Sequence, residues 1–311
     1  MRFIRIAVDN FKLFINKDTP AIASYSPDTG MIRLQVHRSA VTKQQTPGKY
    51  YFLYFGGLRF YEAHPFSLAG TSTPDAQQTP PLDFNHEKSA TSAAITDRPV
   101  DSPFLTFMIR PRTGLTKSLR DSITRKAVSG QARLRVVLEG PYGTPANLDG
   151  FKNILFIAGG SGITAIIPYI RRIFEDGADG TITPNVKLIW TARHQGFVQD
   201  VFANDLSRSE TSPNFTQEFY ITSENAEPGI ASDSGSGDEG SDDALADQRF
   251  LRQRLQVSLA VDGYLNEVQG PTAVFVCAPA RMADEARVAL IKHEKSNRNG
   301  QVRLFEEMYG W

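Results

Sequence analysis

A glycine-rich stretch, FIAGGSGITA (156–165), carries the strongest chemical signal in this 311-residue sequence. Gly160, Gly162 and Ala165 fit the spacing G-x-G-x-x-G/A, directly between an apolar strand-like run and a helix-like one. Glycines let the backbone approach a pyrophosphate closely, and the first amides of the following helix carry partial positive charge towards it. The alternative is a tight strand-to-helix turn that binds nothing. The context favours a dinucleotide-binding turn.

The end of the next strand indicates which nucleotide would fit that turn. An NAD site is expected to place Asp or Glu there, to accept a hydrogen bond from the ribose 2′-hydroxyl. The segment KLIWTARHQG (187–196) instead has Arg193 and His194 at this place. An arginine suits a 2′-phosphate and therefore predicts NADPH, although a solvated arginine at a strand end is the alternative.

A second possible phosphate site lies in the first half of the chain. In MIRPRTGLTKSL (108–119), Gly114 and Thr116 join a strand to a short helix, and Arg110 lies close by in sequence. A helix N-terminus attracts anions, but basic residues near one are more often solvated surface. This stretch gains weight only together with the strands around it.

The segment EAHPFSLAG (62–70) follows an aromatic, strand-like run. Pro65 cannot donate to a strand ladder and restricts the residue before it. We therefore predict that His64 leaves the sheet with its ring held in a set direction. The alternative is a strand that simply ends at a turn.

The elements that must position these residues form two domains. Short strands and turn signals from Ala21 onwards predict an antiparallel barrel over 21–147, with one helix, KSLRDSITRKAV (117–128). Over 148–311, strands, a glycine turn and helices alternate, which is typical of parallel α/β units. Within this second domain, RFLRQRLQVSLAV (249–261) is predicted to be a helix.

Three further segments lie outside these two cores. Residues 71–102 are rich in Thr, Ser and Pro and predict a surface insertion of the barrel. Residues 224–247 are acidic and rich in Gly and Ser, which predicts disorder. Residues 1–20 mix basic with apolar residues, as in an ordinary amphipathic segment or in the cytoplasmic exit of a membrane helix that this chain does not include.

Composition narrows the class of partner. The chain has 34 basic and 34 acidic residues, so its net charge of zero does not indicate nucleic acid as a partner. Its single cysteine, Cys277, excludes an internal disulfide. No run reaches the ~18–20 apolar residues of a spanning helix. The five histidines do not form a pair on an apolar helix, and no metal site is predicted.

Seven motifs recur in order over nearly the whole chain: HPFS, IRPRTGLTKSL, GPYG, AGGSGIT, WTAR, VCAP and an aromatic C-terminus. Together they resemble the ferredoxin reductase superfamily. The HPFS form is similar to the branch of ferric-chelate reductases and NADPH oxidases, and EEMYGW with GGSGITAIIPYI looks more like the fungal ferric-chelate reductases. The resemblance implies an antiparallel β-barrel FAD-binding domain followed by a Rossmann-like α/β NADP-binding domain, with the flavin at their junction.

The resemblance also implies an activity. A hydride would pass from NADPH to FAD, and single electrons would pass on to ferric chelates, through the haems of a membrane domain in a complete family member. The chain would be the cytosolic dehydrogenase portion, at the cytosolic face of a membrane that is the plasma membrane for the complete protein. A superoxide-producing oxidase, a soluble diaphorase and a non-catalytic module that keeps the fold are the alternatives.

On the same resemblance, the HPFS motif meets FAD. His64 would face the pyrophosphate, Pro65 would fix its presentation, Phe66 would lie along the flavin and the Ser67 hydroxyl would approach flavin N5. The remaining FAD-binding residues would be Arg110, Gly114, Leu115, Thr116 and Gly140. The NADPH pyrophosphate would be bound by Gly159, Gly160, Ser161, Gly162, Ile163 and Thr164. Arg193 would bind the 2′-phosphate, and Cys277 would lie near the nicotinamide.

The C-terminal aromatics and two departures complete the comparison with the family pattern. Tyr309 or Trp311 would cover the flavin face that the nicotinamide needs, with Tyr309 favoured, whereas the alternative is a terminal strand that packs its aromatics into a core. Ala278 stands where the family carries glycine, and Ala165 and Pro168 stand where many relatives have proline directly after the threonine. Neither departure removes a reacting group, so activity is expected to survive.

Overall fold

The computed structural model describes residues 20–37, 47–58, 62, 64–72, 104–175, 183–222, 249–295 and 301–307. Several sequence predictions lie wholly or mostly outside these residues: the N-terminal segment, most of the insertion 71–102, the acidic segment 224–247, Tyr309 and Trp311. In the part that is described, no helix combines the length and the hydropathy that a membrane crossing requires.

Within the described residues, the first domain is an antiparallel sheet that carries one helix, as predicted. Its described strands are β1 (Pro20–Ser26), β2 (Met31–His37), β3 (Tyr50–Phe55), β4 (His64–Ser67), β5 (Gly70–Ser72), β6 (Phe104–Ile109) and β7 (Gln131–Tyr142). The strands are ordered β4-β3-β7-β1-β2-β6-β5, and all their pairings are antiparallel. The helix α1 (Gly114–Lys126) follows β6 and begins three residues before the predicted Lys117.

Side-chain alternation explains how this sheet closes around a core. Along β2, Ile32, Leu34 and Val36 are fully buried, whereas Arg33 points to the other face. The helix α1 covers the barrel with residues four positions apart, including Leu115 and Leu119, which join the same apolar cluster.

The second domain is a parallel sheet with helices on both faces, again as predicted. Its described strands are β8 (Asn153–Gly159), β9 (Asn185–Ala192), β10 (Phe215–Ile221), β11 (Phe250–Leu251), β12 (Thr272–Cys277) and β13 (Val302–Glu306). Its helices are a single 3-10 turn (Gly160–Gly162), α2 (Ile163–Phe174), α3 (Gln195–Asn204), α4 (Val257–Glu267) and α5 (Ala280–Lys295). The strand order is β11-β10-β9-β8-β12-β13, and every pairing is parallel.

The central strand β8 is a continuous run of apolar residues in the sequence because both of its faces are buried. Ile154, Phe156 and Ala158 pack into one apolar cluster, and Leu155 and Ile157 pack into another on the opposite face. The chain leaves β8 towards β9 on one side, while β12 lies on the other side. The carboxyl ends of β8 and β12 therefore form the switch point at which open α/β sheets bind ligands.

The prediction that His64 leaves the sheet is wrong. His64–Ser67 forms strand β4, in which Pro65 lies opposite Phe52 of β3. The sheet accepts the proline because β4 is its edge strand, where a missing backbone N–H breaks no inner ladder. The strand β5 likewise takes in Thr71 and Ser72, which were predicted to begin the insertion.

The predicted helix over 249–261 is also wrong in its first half. Phe250–Leu251 forms strand β11 beside β10, and the ring of Phe250 lies 5.1 Å from that of Phe219. The helix α4 starts only at Val257, where the buried residues acquire helical spacing. Pairing with β10 therefore overrides the local helix preference of this segment.

Candidate functional site

The glycine turn lies at the carboxyl end of β8 and leads into α2. Gly160 has a φ of +56°, which favours glycine, and its carbonyl oxygen accepts a 3.0 Å hydrogen bond from Nε1 of the fully buried Trp190. The Thr164 hydroxyl donates a 2.8 Å hydrogen bond to the carbonyl of Ser161. These two hydrogen bonds therefore hold the turn in its conformation without a ligand.

Each glycine of the turn is required for a different reason. A Cβ on Gly162 would overlap the carbonyl oxygen of Cys277, and a Cβ on Gly159 would overlap the ring of Pro279. The side of Gly160 is open by comparison, because a Cβ there would meet Arg110 Nη1 at 3.5 Å. Close packing of the glycine turn against Cys277 and Pro279 thus explains why glycine is needed at 159 and 162. Gly160 instead faces a space that a ligand could enter.

That space is a cavity of about 140 Å³ at the junction of the two domains. It is lined by Thr29, Gly30, Met31, Arg110, Pro111, Gly160, Ser161, Arg193, His194 and Phe197. Three chain segments that the sequence analysis singled out therefore meet here: the end of β6, the glycine turn and the end of β9.

Two arginines give the cavity its charge. Burial lowers the pKa of Arg110, and the charges of Arg112 and Arg193 lower it further. Arg193 itself is exposed at the end of β9. An anion placed between guanidinium groups relieves their repulsion and accepts charge-assisted hydrogen bonds. The residues present therefore fit the phosphate groups of a dinucleotide.

The HPFS strand presents its side chains on alternate faces. His64 and Phe66 share one face, with ring centroids 6.5 Å apart, and Pro65 and Ser67 lie on the other. All four are half-buried, and Phe66 packs against the barrel core. These positions leave part of each side chain accessible to a flavin at the edge of the sheet.

At the start of α1, the polar side chain of Thr116 forms its hydrogen bond within the chain rather than with a ligand. Gly114 has a φ of +60°, and the Thr116 hydroxyl accepts a 2.9 Å hydrogen bond from the Arg112 amide. Leu115 is buried in the barrel core, so only its backbone can face a ligand. The first amides of this helix are the groups that can bind an anion.

Gly140 occupies a packed position in β7. A Cβ there would lie 2.8 Å from the ring of Tyr51. The described contacts thus give this glycine a packing role in the barrel, whereas its predicted contact with FAD remains a prediction.

Cys277 ends β12 beside the glycine turn. The residue is buried, and its Sγ lies 3.2 Å from the position of a Cβ on Gly162. Burial, together with the charge of Glu307, raises the pKa of the thiol to about 12. The thiol is therefore neutral at physiological pH. The Cβ of Ala278 lies 3.0 Å from the position of a Cβ on Gly159, so this departure from the family pattern points its methyl group at the glycine turn.

Two residues near this site were not identified from the sequence. The Tyr169 hydroxyl accepts a 2.8 Å hydrogen bond from the Ala146 amide and donates one of 3.3 Å to Glu307 Oε1. Burial, and then the charge of Glu307, raises the pKa of Tyr169. Both residues lie in segments that were quoted only for the resemblance, Tyr169 in GGSGITAIIPYI and Glu307 in EEMYGW. Tyr309 and Trp311 themselves lie outside the described residues.

Comparison with known proteins agrees with both domains. The family described as "FAD-binding domain" matches residues 17–78 and 93–146, and the family described as "Ferric reductase NAD binding domain" matches residues 151–290. The chain is 22% identical over 298 residues to ferric reductase transmembrane component 5 of Saccharomyces cerevisiae, and this alignment covers 90% of the chain and 37% of the relative. It thus spans less than two-fifths of that relative's length.

Two solved structures show the same fold. A flavohemoglobin from Malassezia yamatoensis, with bound FAD and heme, matches 96% of this chain and 63% of its own, with a TM-score of 0.52 at 13% identity. An NADH-dependent reduced ferredoxin-NADP oxidoreductase matches 88% of this chain and 72% of its own, with a TM-score of 0.50 at 16% identity. The fold, the two matched domains and the fungal relatives agree with one another. The chain therefore carries an FAD-binding domain followed by a ferric reductase NAD-binding domain, and it is similar to fungal ferric reductases.

Proposed function

We propose that this chain is an NADPH-dependent flavoprotein reductase module that supplies electrons to ferric chelates. The observation that carries the proposal is the cavity at the domain junction, where Arg110 and Arg193 meet the open side of Gly160. Cationic groups from both domains around an open glycine backbone suit a phosphorylated nucleotide held between a flavin domain and a nucleotide domain.

Different groups in the cavity would bind different parts of the nucleotide. Backbone amides at the start of α2 would hold its pyrophosphate, and Arg193 would pair with its 2′-phosphate. Arg110, whose guanidinium lies nearest Gly160, would reach the nucleotide as well as the FAD pyrophosphate to which the resemblance assigns it. One charge-assisted contact is worth ~1.5–3 kcal/mol, or about tenfold to a hundredfold in affinity.

The flavin would lie along β4, where His64 and Phe66 share a face and the Ser67 hydroxyl lies on the other. The bound flavin would supply the redox chemistry, which is acceptance of a hydride from NADPH and release of single electrons to an acceptor. The protein's task is to bring the two rings into stacked contact, since orientation supplies much of the rate. The neutral, buried Cys277 thiol contributes an uncharged wall beside the glycine turn.

The relatives support the electron acceptor and the location that we propose for this chain. The yeast relative is named as a ferric reductase transmembrane component, and this chain matches little more than a third of it. We infer that in a complete protein the module works at the cytosolic face of a membrane and passes electrons through the haems of a membrane part. Ferric chelates would be the final acceptor.

Anaerobic reduction of the flavin tests the proposal directly. Purified protein loaded with FAD is expected to lose its visible flavin absorbance on addition of NADPH, and to regain it when a ferric chelate is added. NADH is expected to act only at much higher concentration. Protein that binds FAD but is not bleached by NADPH would contradict the proposed activity.

The nucleotide preference is tested by Arg193→Ala. Loss of the 2′-phosphate contact is expected to raise the Michaelis constant for NADPH about tenfold to a hundredfold while leaving that for NADH nearly unchanged. Arg208→Ala, at an exposed position of the same domain, is the matched control and is expected to behave as the unaltered protein. Equal use of the two nucleotides by the unaltered protein would refute the assignment.

A further inference from the structure

An ion-paired cluster joins the two domains away from the cavity. Arg33 of β2 donates hydrogen bonds of 3.1 Å and 2.7 Å to the two carboxylate oxygens of Asp205, and one of 2.7 Å to Asp200. The side chains of Arg33, Asp200 and Asp205 are 21%, 33% and 8% exposed. Burial alone would lower the pKa of Arg33, but its bonds to Asp205 and Asp200 and their charges raise it.

Asp205 is an unusual residue for the second domain to place here. It is the C-cap of α3, where the helix dipole disfavours a negative charge, and it is also buried. Arg171 of the same domain contributes a favourable charge at longer range. The forked hydrogen bonds that compensate this carboxylate come from the barrel. The cluster therefore ties the end of α3 to the barrel.

The same barrel hairpin also contacts the other end of α3. A Cβ on Gly196, in the first turn of α3, would lie 3.0 Å from the carbonyl oxygen of Asp28, in the turn between β1 and β2. The ring of His194 lies 3.2 Å from the position of a Cβ on Gly30 in that turn. Met31, which begins β2, packs into an apolar cluster of the second domain. The β1–β2 hairpin thus holds α3 at its start, while Arg33 holds its end.

The segment immediately before α3 carries Arg193, which lines the cavity. A helix of ten residues is a rigid rod about 15 Å long, so a change at its end moves its start. From this arrangement we propose that Arg33 is a positioning residue for the nucleotide-phosphate site: by clamping the end of α3 to the barrel, it sets where Arg193 meets the nucleotide. The inference rests on the proposed function, since it assumes that Arg193 contacts a nucleotide phosphate.

Arg33→Gln tests this with two readouts. Calorimetric titration of the FAD-loaded protein with 2′,5′-ADP is expected to show a dissociation constant about tenfold higher than that of the unaltered protein. In anaerobic flavin reduction, the NADPH concentration for half-maximal rate is expected to rise by a similar factor while the limiting rate changes less than about threefold. A merely structural role predicts a lower melting temperature with both nucleotide readouts unchanged.

Two comparisons isolate the clamp. Arg249→Gln breaks a similar pair, in which Arg249 Nη1 lies 2.6 Å from Glu210 within the second domain alone, and is expected to leave 2′,5′-ADP affinity unchanged. In an Asp200→Ala/Asp205→Ala background, Arg33→Gln is expected to change that affinity less than about twofold, because both side chains to which Arg33 donates are already absent. If Arg33→Gln does not fold, Arg33→Lys takes its place, because it keeps the charge but not the forked contact.

The outcomes separate the two proposals. If the unaltered protein is not bleached by NADPH and does not bind 2′,5′-ADP, the proposed function fails and the inference with it. If the unaltered protein does both, and folded Arg33→Gln or Arg33→Lys binds 2′,5′-ADP within about twofold of it, only the inference fails. An equal loss of affinity in Arg249→Gln would also overturn it, since the effect would then not belong to the domain junction.

Discussion

Gly162→Ala should be the most damaging small substitution in the glycine turn. A Cβ at this position would overlap the carbonyl oxygen of Cys277 and would lie 2.9 Å from its carbonyl carbon and 3.2 Å from its Sγ. The obstructing atoms are mainly backbone, and β12 is paired on both sides, with β8 and β13. The turn must therefore shift as a whole, because no side chain can rotate away.

The expected cost follows from this geometry. Overpacking a well-packed site costs about 1–3 kcal/mol, and a clash with fixed backbone belongs near the upper value. For a domain of this size, each kcal/mol lowers the melting temperature by about 2–4 °C, so a loss of roughly 6–12 °C is expected. The nucleotide-dependent bleaching should weaken as well, because the same shift displaces the amides at the start of α2.

Gly263→Ala is the matched control for this measurement. Gly263 lies within α4, and a Cβ there would meet no heavy atom within 4 Å. Alanine in place of a helical glycine should raise stability by about 0.5–1 kcal/mol. Thermal unfolding followed by circular dichroism compares the two variants. If Gly162→Ala melts within about 2 °C of the unaltered protein, Gly162 does not lie as close to Cys277 as the structure shows.

Three further predictions concern the thiol, the tyrosine and the acidic segment. Because its pKa is raised, the Cys277 thiol should react with iodoacetamide at pH 8 at least tenfold more slowly in the native than in the unfolded protein, and fast native alkylation would contradict its burial. The thiol contributes its full stability below its unfolded pKa of about 8.5. That contribution should be lost as the pH rises towards about 12. Tyr169→Phe removes the acceptor of the Ala146 amide and should cost about 1–3 kcal/mol, measured as a lower denaturant midpoint, so an unchanged midpoint would show that the bond contributes nothing. Replacing residues 224–247 by a short linker should preserve flavin content and NADPH-dependent bleaching, since their composition contributes no apolar core; a flavin-free product would mean that our domain boundaries are wrong.

The sequence predicted those features of the fold and the site that depend on residues close together in the chain. The glycine turn was recognisable because strand, turn and helix signals adjoin it, and Arg193 because it directly follows a strand. The two-domain order followed from the change from antiparallel to alternating patterns. By contrast, the helix predicted at 249–261 failed where Phe250 pairs with β10, a contact that no local pattern encodes.

Contacts between distant parts of the chain could not be predicted in this way. Arg33 and Asp205 are 172 residues apart, and Tyr169 and Glu307 are 138 apart. Neither pair has a spacing that marks it, since each depends on how two domains or two elements meet. The resemblance implied that Arg110 binds FAD, whereas only the folded chain shows that its guanidinium lies beside Gly160.

The glycine motif and the arginines support different conclusions. Gly159 and Gly162 are required by packing against Pro279 and Cys277 whether or not a nucleotide binds, so the motif mainly reports the tight junction of β8 and α2. What the packing does not require is a pair of arginines from two domains around the open side of Gly160. Holding like charges together costs free energy, and a bound anion would offset that cost. The case for a phosphorylated nucleotide therefore depends more on these arginines than on the glycines that first suggested it.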